Sequence, residues 1–100
     1  MPKINLNLPH NLGVEEAKRR VSHLVAETRE EFGHMITDLQ ESWNGNMETF
    51  SFRAMGFAVN GTIEAQAAAV LIQMHIPLAA LPFKSRVESE LRKHAEALLA

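Results

Sequence analysis

At 100 residues, the chain has room for one domain with one modest hydrophobic core, and its 46% apolar and 22% charged residues are the balance of a chain that folds unaided in water. A net charge of −2 offers no attractive field to nucleic acid or an anionic membrane, and the lack of cysteine excludes disulfides, thiolate metal sites and a cysteine nucleophile. No window approaches the roughly 18 apolar residues of a membrane span, and MPKINLNLPH is too short and polar for a secretory signal, so the expectation is a cytoplasmic protein with one domain over residues 1–100.

Ile4, Leu6 and Leu8 alternate with Asn5 and Asn7, which predicts a half-buried strand stopped by Pro9. In NLGVEEAKRRVSHLVAETREEFG, residues Val14, Ala17, Val21, Leu24, Val25, Thr28 and Phe32 recur at three-to-four spacing, the period of a helix with one buried face. Gly13 suits its N-cap, and Glu15 and Glu16 suit the positive end of its dipole. Glu15 with Arg19 and Glu16 with Arg20 are spaced as ion pairs, and Gly33 fits a left-handed C-terminal position.

From Ile36 to Ile76 the pattern turns to strands. Asn44-Gly45-Asn46 predicts a hairpin, because positive φ angles cost Asn and Gly little. Phe50, Phe52 and Ala54 occupy even positions of one face, whereas Phe57, Val59, Gly61 and Ile63 occupy odd ones; a tight turn or bulge at Ala54-Met55-Gly56 resolves the switch. A further turn near Gln66 to Ala68 leads to Val70, Ile72, Met74 and Ile76. Pro77 ends that strand.

A last helix follows, with Phe83, Val87, Leu91, His94 or Ala95, and Leu98 on its stripe, and with Glu88–Arg92 and Glu90–His94 as supporting pairs. A start near Leu81 puts Pro82 at the tolerated first position; a start at Leu78 would require a bend, and the later start is preferred. The predicted class is α+β: strand, helix, four-stranded antiparallel meander, helix, with both helices on one face of a curved sheet. The first strand fits antiparallel beside the last, the alternative being parallel beside the second.

The five histidines at 10, 23, 34, 75 and 94 form no HExxH and no i,i+4 pair, the serines lie in no nucleophile motif, and the glycines form no phosphate loop, so no cofactor, metal or catalytic residue is predicted. Glu41, Glu48 and Glu64 lie on strands where two could face each other; the simpler expectation is that they alternate outward into solvent. Trp43 is expected to pack across strands and fix register, with a stacking platform or partner anchor as its alternative.

The segments MPKIN, LPH, EEAKRR, EFG, ESWNGN, TFSFRAMGF, NGTIE and IPLAALPFK together resemble the polyhydroxyalkanoic acid system family, with SWNGN and FSFRAMGF the most specific. The likeness spans almost the whole chain and implies a bacterial cytoplasmic protein tied to polyester storage, with no catalytic residues to carry over. The order of elements also resembles a shortened helix-grip fold, in which a sheet grips a C-terminal helix around an apolar cavity.

Two functions compete. One is a non-enzymatic accessory protein contacting the polyhydroxyalkanoate granule surface or a granule protein, with Trp43, Met47, Met55, Leu81 and Phe83, beside Leu78, as candidate surface contacts. The other is a binding module for a hydroxyacyl chain or similar small apolar ligand, with Phe50, Phe52, Phe57, Val59 and Ile63 lining a cavity. A homodimer through the sheet edge after Thr37 is a further expectation.

Overall fold

The computed structural model describes residues 3–99. Strand β1 (Lys3–Pro9) buries Ile4, Leu6 and Leu8 and turns the residues between them to solvent, as its alternation demands. Helix α1 (Val14–Phe32) starts at Gly13, whose carbonyl accepts the Ala17 N–H at 3.0 Å, and buries Ala17, Val21 and Leu24; the side chain of Phe32 lies outside the described set. Glu16 is the hub of its outer surface, accepting from Arg19 Nε at 3.0 Å and Arg20 Nε at 2.8 Å, and these bonds hold its carboxyl down at about 2. Arg19 therefore pairs with Glu16 and not with the predicted Glu15, because one carboxylate can accept from both guanidinium groups. Gly33 also departs from expectation: at φ −56 and ψ −30 it is right-handed, and Ile36 N reaches back to its carbonyl at 3.4 Å.

The meander comprises β2 (Ile36–Asn44), β3 (Met47–Ala54), β4 (Phe57–Ala65) and β5 (Ala69–His75). The sheet order is β1-β5-β4-β3-β2 and every pairing is antiparallel, so β1 lies beside the last strand, the preferred of the two predicted placements. Gly45, at φ 63, opens the two-residue turn that pairs Asn44 with Met47. Met55 and Gly56 form the second turn, both at positive φ (54 and 84). This reversal resolves the parity switch: Phe52 pairs with Val59 and Ala54 with Phe57, so both sets face the helices.

The third turn is held by Gln66 N to Ala69 O at 2.8 Å and by a buried histidine. His10 Nδ1 accepts the Leu12 N–H at 3.1 Å, which leaves the ring proton on Nε2 to donate to Gln66 O at 3.0 Å. His10 thus ties the loop after β1 to the β4–β5 turn and has a structural role.

One irregularity was not predicted. Between Thr37 and Gln40 the β2–β3 register shifts, and Asp38 takes φ 55, a β-bulge that carries Ile36, Glu41 and Trp43 onto the same face despite their opposite parity. It also interrupts the ladder on an edge strand, a device that discourages edge pairing.

After β5, residues Leu78–Phe83 form a 3-10 helix containing Pro82, and α2 (Lys84–Leu99) starts only at Lys84. The preferred start at Leu81 is thereby corrected: the missing N–H of Pro82 is accommodated in the tighter turn, not in the first turn of the α-helix. Ala95, not His94, lies on the buried stripe with Val87, Leu91 and Leu98, while Phe83 is 54% exposed and leaves the stripe. Arg92 lies 3.9 Å from Glu96 where Glu88 was expected, and Glu90 is 3.9 Å from His94.

Both helices cover one face. Helix α1 packs over β4, and α2 over β1 and α1. Arg20 Nη1 locks them together by donating to Leu98 O at 2.7 Å. The fully buried core therefore lies over β1, β5 and β4, whereas Trp43, Phe50 and Phe52 on β2 and β3 are only half-buried.

Two substitutions test this frame by urea denaturation. A Cβ on Gly61, which pairs with both Phe50 and Met74, would lie 2.1 Å from the Gln73 carbonyl oxygen and 2.9 Å from Phe50 Cζ. Gly61→Ala is therefore expected to destabilise by about 3 kcal/mol. Met55, 79% exposed at positive φ, has no packing that offsets its backbone cost, so Met55→Asn should stabilise by about 1 kcal/mol. A stable Gly61→Ala or a destabilised Met55→Asn would contradict the geometry.

Candidate functional site

The lopsided roof leaves a half-open pocket of about 120 Å³ between α1 and the sheet. Helix α1 contributes Leu24, Val25, Thr28 and Arg29, and α2 contributes Leu91. The floor is Ile36, Leu39 and Glu41 of β2, Glu48, Phe50 and Phe52 of β3, Ile63 of β4, and Ile72 and Met74 of β5. The rings of Phe50 and Phe52, two residues apart on one face, stack with centroids 6.2 Å apart and planes at 16°. The β2 bulge puts Leu39 into this floor.

Glu48 and Glu41 interrupt an otherwise apolar floor, and Glu48 is the buried one of the two. It is 1% exposed, flanked across the sheet by Trp43 on β2 and Ile63 on β4, and its Oε1 has no hydrogen-bond partner. Burial, and then the neighbouring Glu41 carboxylate, push its carboxyl up to about 7, against the pull of Arg29. Near neutrality the group is thus a carboxylic acid for much of the time, able to donate one hydrogen bond and accept others. At the rim, Arg29 Nη2 donates to Glu41 Oε1, so the cation of the lining is engaged by one of its two carboxylates.

The expectation that Glu41, Glu48 and Glu64 all alternate outward is corrected for two of them. Glu64 does, and receives the Gln66 side-chain N–H at 3.0 Å, but Glu41 and Glu48 face the helices. The signal was in the spacing: Glu48 has the same parity as Phe50 and Phe52, and β3 has no bulge to change it.

Among the cavity candidates, Phe50, Phe52 and Ile63 border this pocket, and Phe57 and Val59 lie nearer the start of β4, away from it. Trp43 is half-buried against the core with Lys18 Nζ 5.2 Å from its ring centre, and Met47 is half-buried at the same end of the sheet. Met55, Leu81 and Phe83 are exposed, as is Leu78. Register puts Met55 at the end of the sheet where Met35, a residue that sequence reading did not single out, precedes β2, and where β5 leads into the 3-10 helix of Leu78, Leu81 and Phe83. The starts of β1 and β2, the Met55-Gly56 turn and the end of β5 all lie at one end of the sheet, since Ile36 pairs with Ala54, and His75 with both Asn60 and Lys3. The large exposed apolar residues among those described, Met35, Met55, Leu78, Leu81 and Phe83, all fall at or just beyond this end. In a 3-10 helix Leu78 and Leu81, three apart, share one face.

The described residues contain no cluster of three groups able to hold a metal ion, and none of their helices is long and apolar enough to cross a membrane. A family described as "Putative polyhydroxyalkanoic acid system protein" matches residues 4–99, and the chain belongs to that family. A solved structure, the crystal structure of TTHA0849 from Thermus thermophilus, is similar over 98% of this chain and 92% of its own, at 15% identity and a TM-score of 0.42. No curated protein matches the chain.

The state of Glu48 sets a pH dependence of stability. Its carboxyl titrates near 4.5 when solvated and near 7 when folded, so between these values the unfolded chain releases the proton first and stability falls as pH rises. The penalty is absent below about pH 4.5 and complete above about pH 7, where it reaches at most about 3 kcal/mol. Glu48→Gln removes the titration. Urea unfolding at about pH 5 and about pH 8 should show the variant gaining on the native protein at the higher pH; an equal difference at both would contradict the assignment.

Proposed function

We propose that this protein is a non-enzymatic cytoplasmic accessory of the polyhydroxyalkanoate system that attaches to the surface of the polyester granule through the apolar end of its sheet. One observation carries the reading: Met35, Met55, Leu78, Leu81 and Phe83 are exposed at the same end. Single exposed apolar residues are ordinary on any surface, but their gathering at one end is what an interaction surface requires. Membership in the polyhydroxyalkanoic acid system family supports the choice of an apolar polyester as the surface in question.

The energetics suit reversible attachment. Burying a side chain such as Leu or Phe gains roughly 1.5–3 kcal/mol, and immobilising the protein costs several kcal/mol in return. Leu78, Leu81 and Phe83, exposed by 72, 45 and 54%, can bury only part of their area, so binding of one copy should be weak and release easy. Met55 adds to this view, since an apolar residue kept at a strained, exposed turn stabilises nothing within the fold.

The test is co-sedimentation with native granules and with protein-free polyester particles. Native protein should sediment with both, and Leu78→Ser combined with Leu81→Ser and Phe83→Ser should lower the bound fraction by about tenfold or more, because roughly three apolar anchors are lost. These positions are exposed, so the variant should keep the native unfolding midpoint. Binding to native granules alone would point to a granule protein as the contact. Failure to sediment with either, or wild-type binding by the triple variant, would overturn the proposal.

A further inference from the structure

A second feature lies apart from that surface. The pocket combines an apolar wall with one buried carboxyl oxygen that nothing in the protein satisfies. Leaving a buried polar atom unpaired costs about 1–3 kcal/mol, a cost avoided almost everywhere else in folded proteins. A ligand that supplies the missing partner would recover it. We infer that the pocket binds a short apolar molecule carrying a neutral oxygen function, an ester or an alcohol, that hydrogen-bonds Glu48, and that it rejects the corresponding free acid.

Volume sets the ligand's size. Specific sites for large small-molecule ligands run to about 300–1,000 Å³, whereas a cavity of about 150 Å³ accepts a molecule the size of benzene. At about 120 Å³ and half open, this pocket holds one short unit of a few carbons, with any longer chain continuing outside. Phe50, Phe52 and Leu24 provide the apolar contact.

Charge decides between neutral and acidic ligands. The charged groups facing Glu48 are Glu41 from β2 and Arg29 from α1; α2, β4 and β5 present only Leu91, Ile63, Ile72 and Met74 to the pocket. The charge of Arg29 is already offset by Glu41, so an entering carboxylate meets one neutralised cation and two carboxyl groups. A neutral ester carbonyl or hydroxyl meets a carboxyl group that burial raises to about 7 and so keeps largely protonated at about pH 6, and can accept its hydrogen bond. The polyester of the storage system is built of such units, each with an ester oxygen on a short apolar stem. Granule attachment uses other residues, so ligand binding in the pocket does not depend on it.

The experiment is amide-resonance titration of the full chain at about pH 6 with methyl 3-hydroxybutyrate, sodium 3-hydroxybutyrate and benzene as probes. The ester should shift resonances of Leu24, Phe50, Glu48 and Ile63 and bind at least about tenfold more tightly than the acid salt, which has to bury an anion beside two carboxyl groups. Glu48→Leu, which fills the same space without the oxygen, should weaken the ester about tenfold and leave benzene bound, while Glu48→Gln, which keeps a donor, should retain the ester within about threefold. Acid binding equal to ester binding, or undiminished ester binding by Glu48→Leu, would overturn the inference while leaving an apolar pocket in place if benzene still binds. No shift with any probe would dismiss the pocket as a ligand site.

Discussion

Two helices must roof five strands, and most of what is distinctive in this molecule follows from where they sit. Strands spaced about 4.8 Å apart make a sheet slightly wider than two helices packed at about 10 Å, so some of the apolar face has to remain thinly covered. Arg20, bonded to Glu16 in its own helix and to Leu98 O at the end of α2, fixes the helices side by side, and their contacts place them toward β1 and β4. The shortfall therefore falls on β2 and β3. That is why Ile4, Leu6 and Leu8 are sealed while Phe50 and Phe52, equally apolar, are half-open and line a pocket.

The elements legible in the sequence were those where a single periodicity ran undisturbed. Ile4, Leu6 and Leu8 alternated, α1 kept its three-to-four spacing for five turns, and the two positive-φ turns announced themselves by Asn44-Gly45-Asn46 and by the parity switch at Gly56. The errors arose where two rules conflicted. At Glu48 the residue's polarity was allowed to outvote its position, although a strand with fixed register leaves no freedom in which face a side chain takes. At Asp38 a left-handed residue reset the parity of β2, and Asp tolerates that conformation well enough to leave no mark on composition. At Pro82 the choice offered was between two α-helical starts, and the chain used a 3-10 segment instead. Phe83, placed both on the helical stripe and among the surface contacts, lies at the surface because of that change of helical type.

The pocket residues were only partly accessible to this reasoning for a related cause. Phe50, Phe52 and Ile63 lie on strands whose facing is set locally, so they could be found by counting. Arg29, Leu91 and Met74 join them only because α1, α2 and β5 meet there, a tertiary fact with no local signature. Phe57 and Val59 share the face of the lining residues, but register carries them toward the far end of the hairpin; shared facing is necessary for lining a cavity and is not sufficient.

The two candidate surfaces are also related by register. Glu48 stands six residues along β3 from Ala54, where the chain enters the Met55-Gly56 turn, a span of roughly 20 Å at strand rise. Between them the pocket floor runs through Phe50 and Phe52 to Ile36, which pairs with Ala54 and directly follows the exposed Met35. The apolar lining of the pocket thus approaches the exposed apolar end along one continuous strand face, with no charged side chain on β3 between Glu48 and the turn on that face. Arg53, the charged residue nearest the turn on β3, has the opposite parity and points away. A chain segment reaching along β3 from an apolar surface at that end would meet Ala54, Phe52 and Phe50 before it reached Glu48, whose Oε1 has no hydrogen-bond partner within the protein, while Glu41 beside Phe50 is engaged by Arg29.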